Sequence, residues 1–216
     1  MRGEVFRMNK NRYWKQAALV GAFLVAVVFD AAAQARAGAE PRMAGASGPV
    51  RLREISGIGT RGLVRTPEYN SSVSRGRTAA RSWAEILVQF DTDPDWVDEL
   101  QFQYYVLLYS RQTREFLFLK GNVTHMDVAR GRGHLSAMYV RPAALERHGD
   151  VVAIAVEAVL KGETVTVGSE GRLPQGMTLP AEWWKTTKLV PRDGYLLNRN
   201  QTPFAFVNYD DYEVVK

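Results

Sequence analysis

The chain has 216 residues, a formal net charge of +5 at pH 7 and no cysteine, which excludes a disulfide framework, thiolate chemistry and a lipoprotein lipobox. Residues 1–35 carry five basic and two acidic side chains, so the remaining chain has a net charge of only 5 − 3 = +2. A charge this small argues against nucleic-acid binding, which needs many phosphate contacts from lysine and arginine.

The first segment has the order of a secretion signal. Basic residues up to Lys15 precede an apolar run over residues 17–29, which is shorter than the roughly 20 residues a membrane-spanning helix needs. Small residues follow, so we predict a cleavable signal peptide over residues 1–35, cut after Ala33 or Ala35, and membrane contact only through this precursor segment. An uncleaved anchor helix is one alternative; a prepilin leader is another, but the expected glutamate is missing.

Residues 36–49 are rich in alanine, glycine, serine and proline, which predicts a flexible linker before a domain over residues 50–216. In that domain, apolar and polar residues alternate over residues 82–91 and again over 99–109. This period of two predicts two strands, separated by an acidic turn.

The rest of the domain continues as short strands, one helix and turns. Further strands are predicted at residues 116–119, 123–128, 135–140, 151–160 and 164–167, with turns at 130–133 and 161–163 and a helix over 142–148. The pattern favours an all-β fold: an immunoglobulin-like antiparallel β-sandwich with one short helix and an irregular, Pro/Trp-rich C-terminal region.

Asp91, Asp93 and Asp95 stand at alternate positions, as carboxylates do in a calcium-binding loop. A complete loop of that kind has glycine at its sixth position and glutamate at its twelfth, where this chain has Trp96 and Phe102. A solvated turn is therefore the favoured interpretation.

The sequence contains no pattern typical of a catalytic or cofactor site. His125, His134 and His148 have no partner at metal-ligand spacing, no serine lies in a glycine-flanked elbow, and no glycine-rich phosphate loop is present. We therefore predict a protein that is not an enzyme and binds no metal or other cofactor. A small secreted enzyme with a site built from distant residues is the alternative.

Aromatic residues concentrate near the C-terminus, where Trp183, Trp184, Tyr209 and Tyr212 are candidates for an interaction surface. The favoured interpretation is that such aromatics close one end of the core. A carbohydrate-binding module is a further alternative, and it would need exposed, coplanar aromatic rings.

Several stretches of the chain are similar to a known family. They are Ser82-Trp83-Ala84-Glu85, Phe90-Asp91-Thr92-Asp93, Trp96-Val97-Asp98-Glu99-Leu100 with Phe102 and Tyr104-Tyr105, Leu179-Pro180-Ala181-Glu182-Trp183-Trp184, Leu196-Leu197-Asn198, and Gln201-Thr202-Pro203-Phe204-Ala205. With these stretches the chain resembles the pilus-like proteins, typified in Akkermansia, that are encoded beside type IV pilus assembly genes in Verrucomicrobia and relatives. None of the stretches is a chemical motif.

The resemblance implies an immunoglobulin-like sandwich with a structural or assembly role near a type IV pilus system, and it implies no catalysis. We expect an exported protein of the periplasm or cell surface that contacts an envelope or pilus-assembly protein. The missing prepilin pattern leaves open whether the chain is a pilus subunit or an accessory protein.

Overall fold

The computed structural model describes residues 48–68 and 80–216. The predicted signal peptide, residues 1–35, and all but the end of the predicted linker lie outside these residues. Within the described ranges the chain forms seven strands: β1 (Val50–Ser56), β2 (Leu63–Arg65), β3 (Ser82–Tyr109), β4 (Phe116–Val140), β5 (Asp150–Leu160), β6 (Glu163–Gly171) and β7 (Leu196–Asn198). Two short α-helices accompany them there, α1 (Pro142–His148) and α2 (Trp183–Thr186).

The long β3–β4 hairpin is the central element of the fold. The expectation of separate short strands is wrong here, because β3 runs through the acidic segment 91–95 and β4 runs through Gly121 and the predicted turn 130–133. Arginines pair with the aspartates of β3, and the pairing of the two strands departs from regularity only as shifts in register.

All seven strands of the described residues belong to one antiparallel sheet with the order β6-β5-β3-β4-β7, and β1 and β2 also pair with β3. The sheet folds over on itself at the middle of the β3–β4 hairpin. A side chain added at Gly168 of β6 would meet Leu52 and Ile55 of β1, so these two strands face each other. The result is the predicted all-β, sandwich-like fold.

The main core lies between the two halves of the folded sheet. Phe90 from one half of β3 packs on Phe102 from the other, with ring centres 4.8 Å apart, and Ile154 of β5 is buried in the same cluster. Burial of such large apolar side chains supplies most of the free energy of folding in a chain without cross-links.

The chain after β6 covers the outer faces of the sheet with two smaller apolar clusters. One cluster places α2 and Leu179 against Leu107 and Phe118, and the other places Phe204 against Tyr139. The outer sides of both halves of the folded sheet are therefore covered in part, and the region predicted to be irregular completes the fold.

Two local predictions are confirmed by the structure. Helix α1 spans the predicted residues, with Pro142 in its first turn and Gly149 at its C-terminal end with a φ of 88°. The β5–β6 hairpin turns at Lys161 and Gly162, which both have positive φ, as a two-residue hairpin turn requires. No helix among the described residues is long and apolar enough to span a membrane.

Candidate functional site

The two adjacent tryptophans singled out from the sequence are buried. Trp183 and Trp184 are only 4% and 7% exposed, and both begin α2. Trp183 packs edge-on against Phe118, with ring centres 5.7 Å apart. The indole Nε1 of Trp184 donates a hydrogen bond of 2.9 Å to the buried carboxylate of Glu157. These contacts fix α2 on the sheet and leave little of either ring for a partner.

Phe204 anchors the C-terminal tail in a second apolar cluster, separate from that of α2. Its ring stacks on Tyr139, with centres 4.8 Å apart and planes at 5°, and meets Trp83 edge-on at 5.8 Å. The Tyr139 hydroxyl in turn donates to Glu85 Oε1 over 2.7 Å. The tail is therefore held on the outer face of β3 and β4 by an aromatic cluster.

Beyond this anchor the tail presents large apolar groups to solvent. Phe206 is 78% exposed, Tyr209 is 59% exposed and Val214 is 61% exposed, whereas Tyr212 is half-buried. We call these four residues the C-terminal surface. Aromatic residues held in place on a surface are typical of contact sites for other proteins.

Arg199 lies beneath the C-terminal surface and contacts its two tyrosines. It is buried, its guanidinium donates a hydrogen bond to the Val207 carbonyl, and it lies over the Tyr212 ring at 4.1 Å and the Tyr209 ring at 6.0 Å. A cavity of about 100 Å³ opens among Arg199, Tyr209, Tyr212 and Val214. Burial, with the charge of nearby Glu85, raises the pKa of Tyr212, so its hydroxyl stays neutral at physiological pH.

A buried chain of polar groups lies near this cavity. Tyr104 donates to Ser136 Oγ over 2.7 Å, and Ser136 Oγ lies 2.8 Å from His125 Nε2. Burial lowers the pKa of His125 to about 4, although the Glu213 backbone opposes the shift, so the ring is neutral at physiological pH.

The Ser136–His125 pair has the spacing of a nucleophile and its base, but it lacks the other parts of a hydrolytic site. Ser136 and Tyr104 are fully buried, so a substrate has no path to the serine. Among the described residues no carboxylate bonds to His125 Nδ1, so none orients the ring as a catalytic triad requires. These hydrogen-bonded polar groups are therefore part of the buried core.

The three alternating aspartates form ion pairs with arginines and are not arranged around a cation. Arg53 Nε lies 2.6 Å from Asp91, Arg51 lies 2.8 Å from Asp93 and Arg130 lies 3.1 Å from Asp95. Burial pushes the pKa of Asp91 up, but the bonds from Arg53 and the Gly133 N–H outweigh it and lower the pKa. The described residues contain no group of three or more side chains suited to hold a metal.

Each of the three histidines has its own set of contacts. His125 belongs to the buried polar chain, His134 contacts Glu213 at 2.6 Å, and His148 meets the Tyr195 ring edge-on at 6.0 Å. Sequence reasoning did not select Phe206, Val214 or Arg199, because only the packing of the tail on the sheet shows which of its side chains are exposed. No local pattern identifies a buried arginine such as Arg199.

Comparison with known proteins gives a family match and matches among solved structures. A model of a pilus-like protein family matches residues 55–216. A crystal structure of a protein from Akkermansia muciniphila superposes with a TM-score of 0.63 at 21% sequence identity, covering 77% of this chain and 92% of that chain. At this identity the likeness shows a shared fold. Comparison with curated protein sequences gave no match.

Proposed function

Because the chain belongs to the family of pilus-like proteins, we propose that it is a non-catalytic structural or assembly protein of the cell envelope. It acts by contact with another envelope protein, and that partner is a component of a type IV pilus-like system. The family match supports the structural, pilus-related part of this proposal, and the C-terminal surface supports the part that concerns a partner.

The observation that carries the proposal is the combination of a fixed tail with exposed apolar side chains. Phe204 is buried and Arg199 holds the tyrosines, so Phe206, Tyr209 and Val214 are presented in a defined arrangement. A contact surface ordered before binding loses less conformational entropy when its partner docks. Exposed acids at Asp210 and Asp211 lie within the same stretch, so the partner surface should be apolar with a basic rim.

A cross-linking experiment on envelope fractions tests this function. The purified chain carries a photoreactive group at Asn208, next to the exposed rings, and cross-linked proteins are identified by mass spectrometry. We expect a component of a pilus-assembly system as the main product. Substitution of Phe206, Tyr209 and Val214 by alanine should reduce its yield at least about tenfold, the size expected for loss of interface anchors.

Val190→Ala is the matched control, because Val190 is equally apolar and highly exposed but lies outside the tail. It should leave the cross-linking yield unchanged. An unchanged yield in the triple variant would contradict the C-terminal surface as the contact, and a main product outside any pilus system would contradict the pilus assignment.

The proposal places the working protein outside the cytoplasm, in the periplasm or at the cell surface. This part rests on the signal-type segment 1–35 and agrees with membership of a family of envelope or extracellular proteins.

A further inference from the structure

Trp96 is the most exposed tryptophan in the part of the chain that the structure describes. It is 66% exposed, whereas Trp83 is half-buried and Trp183 and Trp184 lie in the core. An indole in water keeps a large apolar surface hydrated that could be buried elsewhere. An exposed indole whose position is also fixed by the backbone indicates a binding role.

A bulge in β3 fixes that position. The register moves from Thr92↔Gly131 to Trp96↔Ala129, so β3 advances four residues while β4 advances two. The two extra residues of β3 lie directly before Trp96. Bulges of this kind redirect side chains and are common beside binding sites.

Ion pairs hold the bulge in shape. Arg51 contacts Asp93 at 2.8 Å, and Arg130 contacts both Asp95, at 3.1 Å, and the Asp93 carbonyl, at 2.6 Å. Each pair is exposed and weak by itself. Together they connect β1, β3 and β4 around the bulge and restrict the backbone that carries Trp96.

Trp96 borders a groove of about 590 Å³ between the bulge and the β5–β6 turn. Asp98, Gln101 and Thr124 line it, and within the described residues their side-chain polar atoms make no hydrogen bond or ion pair. Val159 forms an apolar part of the lining. The volume lies within the range of about 300–1,000 Å³ occupied by small-molecule sites.

The chemistry of the lining favours a sugar over a protein. Interface anchors in proteins lie among other apolar groups, whereas the groove beside Trp96 combines unpaired polar side chains with the apolar side chains of Pro94 and Val159. A pyranose ring presents an apolar C–H face for stacking on an indole and hydroxyls around its rim for a carboxylate, an amide and a hydroxyl.

The charges of the groove indicate a neutral ligand. Asp98 and Lys161 both line the groove, so it contains one carboxylate and one ammonium group, and Glu99 is paired with Lys216 at 2.6 Å. We propose that this groove is a binding site for a neutral saccharide, with one pyranose ring stacked on Trp96 and its hydroxyls bonded to Asp98, Gln101 and Thr124. This site goes beyond the proposed assembly function and does not rest on it.

The test is calorimetric titration of the full chain with neutral oligosaccharides of glucose, galactose, mannose and N-acetylglucosamine. We expect at least one series to bind with a Kd between about 10 μM and 1 mM, the range of modest ligand affinities. Trp96→Ala should abolish this binding and Gln101→Ala should weaken it by roughly tenfold, the effect of about 1.4 kcal/mol. Because Trp96 is exposed, its substitution should leave the thermal midpoint unchanged.

Phe206→Ala is the matched control, since it removes an exposed ring from the C-terminal surface and should not alter saccharide binding. The proposal is overturned if no series binds, or if binding is the same in Trp96→Ala. Loss of the envelope cross-link in Trp96→Ala, without any saccharide binding, would also overturn it and identify Trp96 as a protein contact.

Discussion

Single residues two positions apart have opposite environments in the C-terminal tail. Phe204 is buried between Trp83 and Tyr139, whereas Phe206 faces solvent. Residue type does not separate them, because the difference arises from which side of the tail contacts the sheet. The consequence is that one ring supports the fold and the other is available to a partner.

We expect Phe204→Ala to lower the free energy of unfolding by about 3–5 kcal/mol, the cost of removing a buried aromatic ring. Phe206→Ala should change it by less than about 0.5 kcal/mol, as for other exposed positions. Urea denaturation of the two variants gives both values. Equal destabilisation by the two substitutions would contradict the orientation of the tail.

His125 makes the stability of the protein depend on pH. Its folded pKa of about 4 lies below the unfolded value of about 6.5, so the unfolded chain binds the extra proton first. Stability from this group is complete above about pH 6.5 and is lost as the pH falls towards 4, by roughly 3 kcal/mol in total.

His125→Gln, which keeps a hydrogen-bonding group beside Ser136, should remove most of this loss between pH 7 and pH 4.5. The lowered pKa of His148 contributes a residual slope of the same sign. Urea midpoints of the two proteins at both pH values measure the difference. If the variant loses as much stability as the parent chain, the neutral buried state of His125 is wrong.

Among the structural elements, the outer edge of β4 is covered by short segments from the C-terminal region. Arg192 exchanges hydrogen bonds with Phe118 and Lys120, and the last residues bond to β4 through Met126 N–H to the Val214 carbonyl, at 2.9 Å. Lys216 N–H donates to the Thr124 carbonyl at the same distance. Covering an edge in this way prevents unwanted pairing with strands of other molecules.

Removal of residues 195–216 should therefore destabilise the fold and not only abolish a partner contact. The deletion removes Leu196, Leu197 and Phe204, which are buried, and each contributes about 1.5–3 kcal/mol. That sum is comparable with a total stability of about 5–15 kcal/mol. A thermal melt should show a much lower midpoint or no cooperative transition.

A shorter deletion of residues 213–216 is the control, since it uncovers the β4 edge but keeps the Phe204 anchor. Its midpoint should fall far less than that of the longer deletion. An unchanged midpoint in the longer deletion would show that the tail is a free docking arm.

At the scale of the whole molecule, we expect the signal-type segment 1–35 to be removed before the domain acts. We expect the exported protein to begin at Gln34 or Arg36, because small residues follow the apolar run at those sites. Mass spectrometry of the protein recovered from the envelope or medium measures its first residue. An intact N-terminus would contradict cleavage and favour an uncleaved anchor.

Much of the fold is determined by the sequence at short range. Alternation of apolar and polar residues located two parts of β3, Pro142 and Gly149 bounded α1, and Lys161-Gly162 marked the hairpin turn, because each signal acts within a few neighbouring residues. Family membership could likewise be inferred from the sequence.

Only the tertiary structure decided the continuity of the long strands and the exposure of the aromatic residues. β3 remains a strand through its aspartates, where Arg53, 38 residues away in sequence, pairs with Asp91. Trp184 is buried and Trp96 is exposed because α2 packs on a sheet face while the bulge faces an open groove. Exposure depends on which distant segment covers a side chain, and no local pattern in the sequence contains that information.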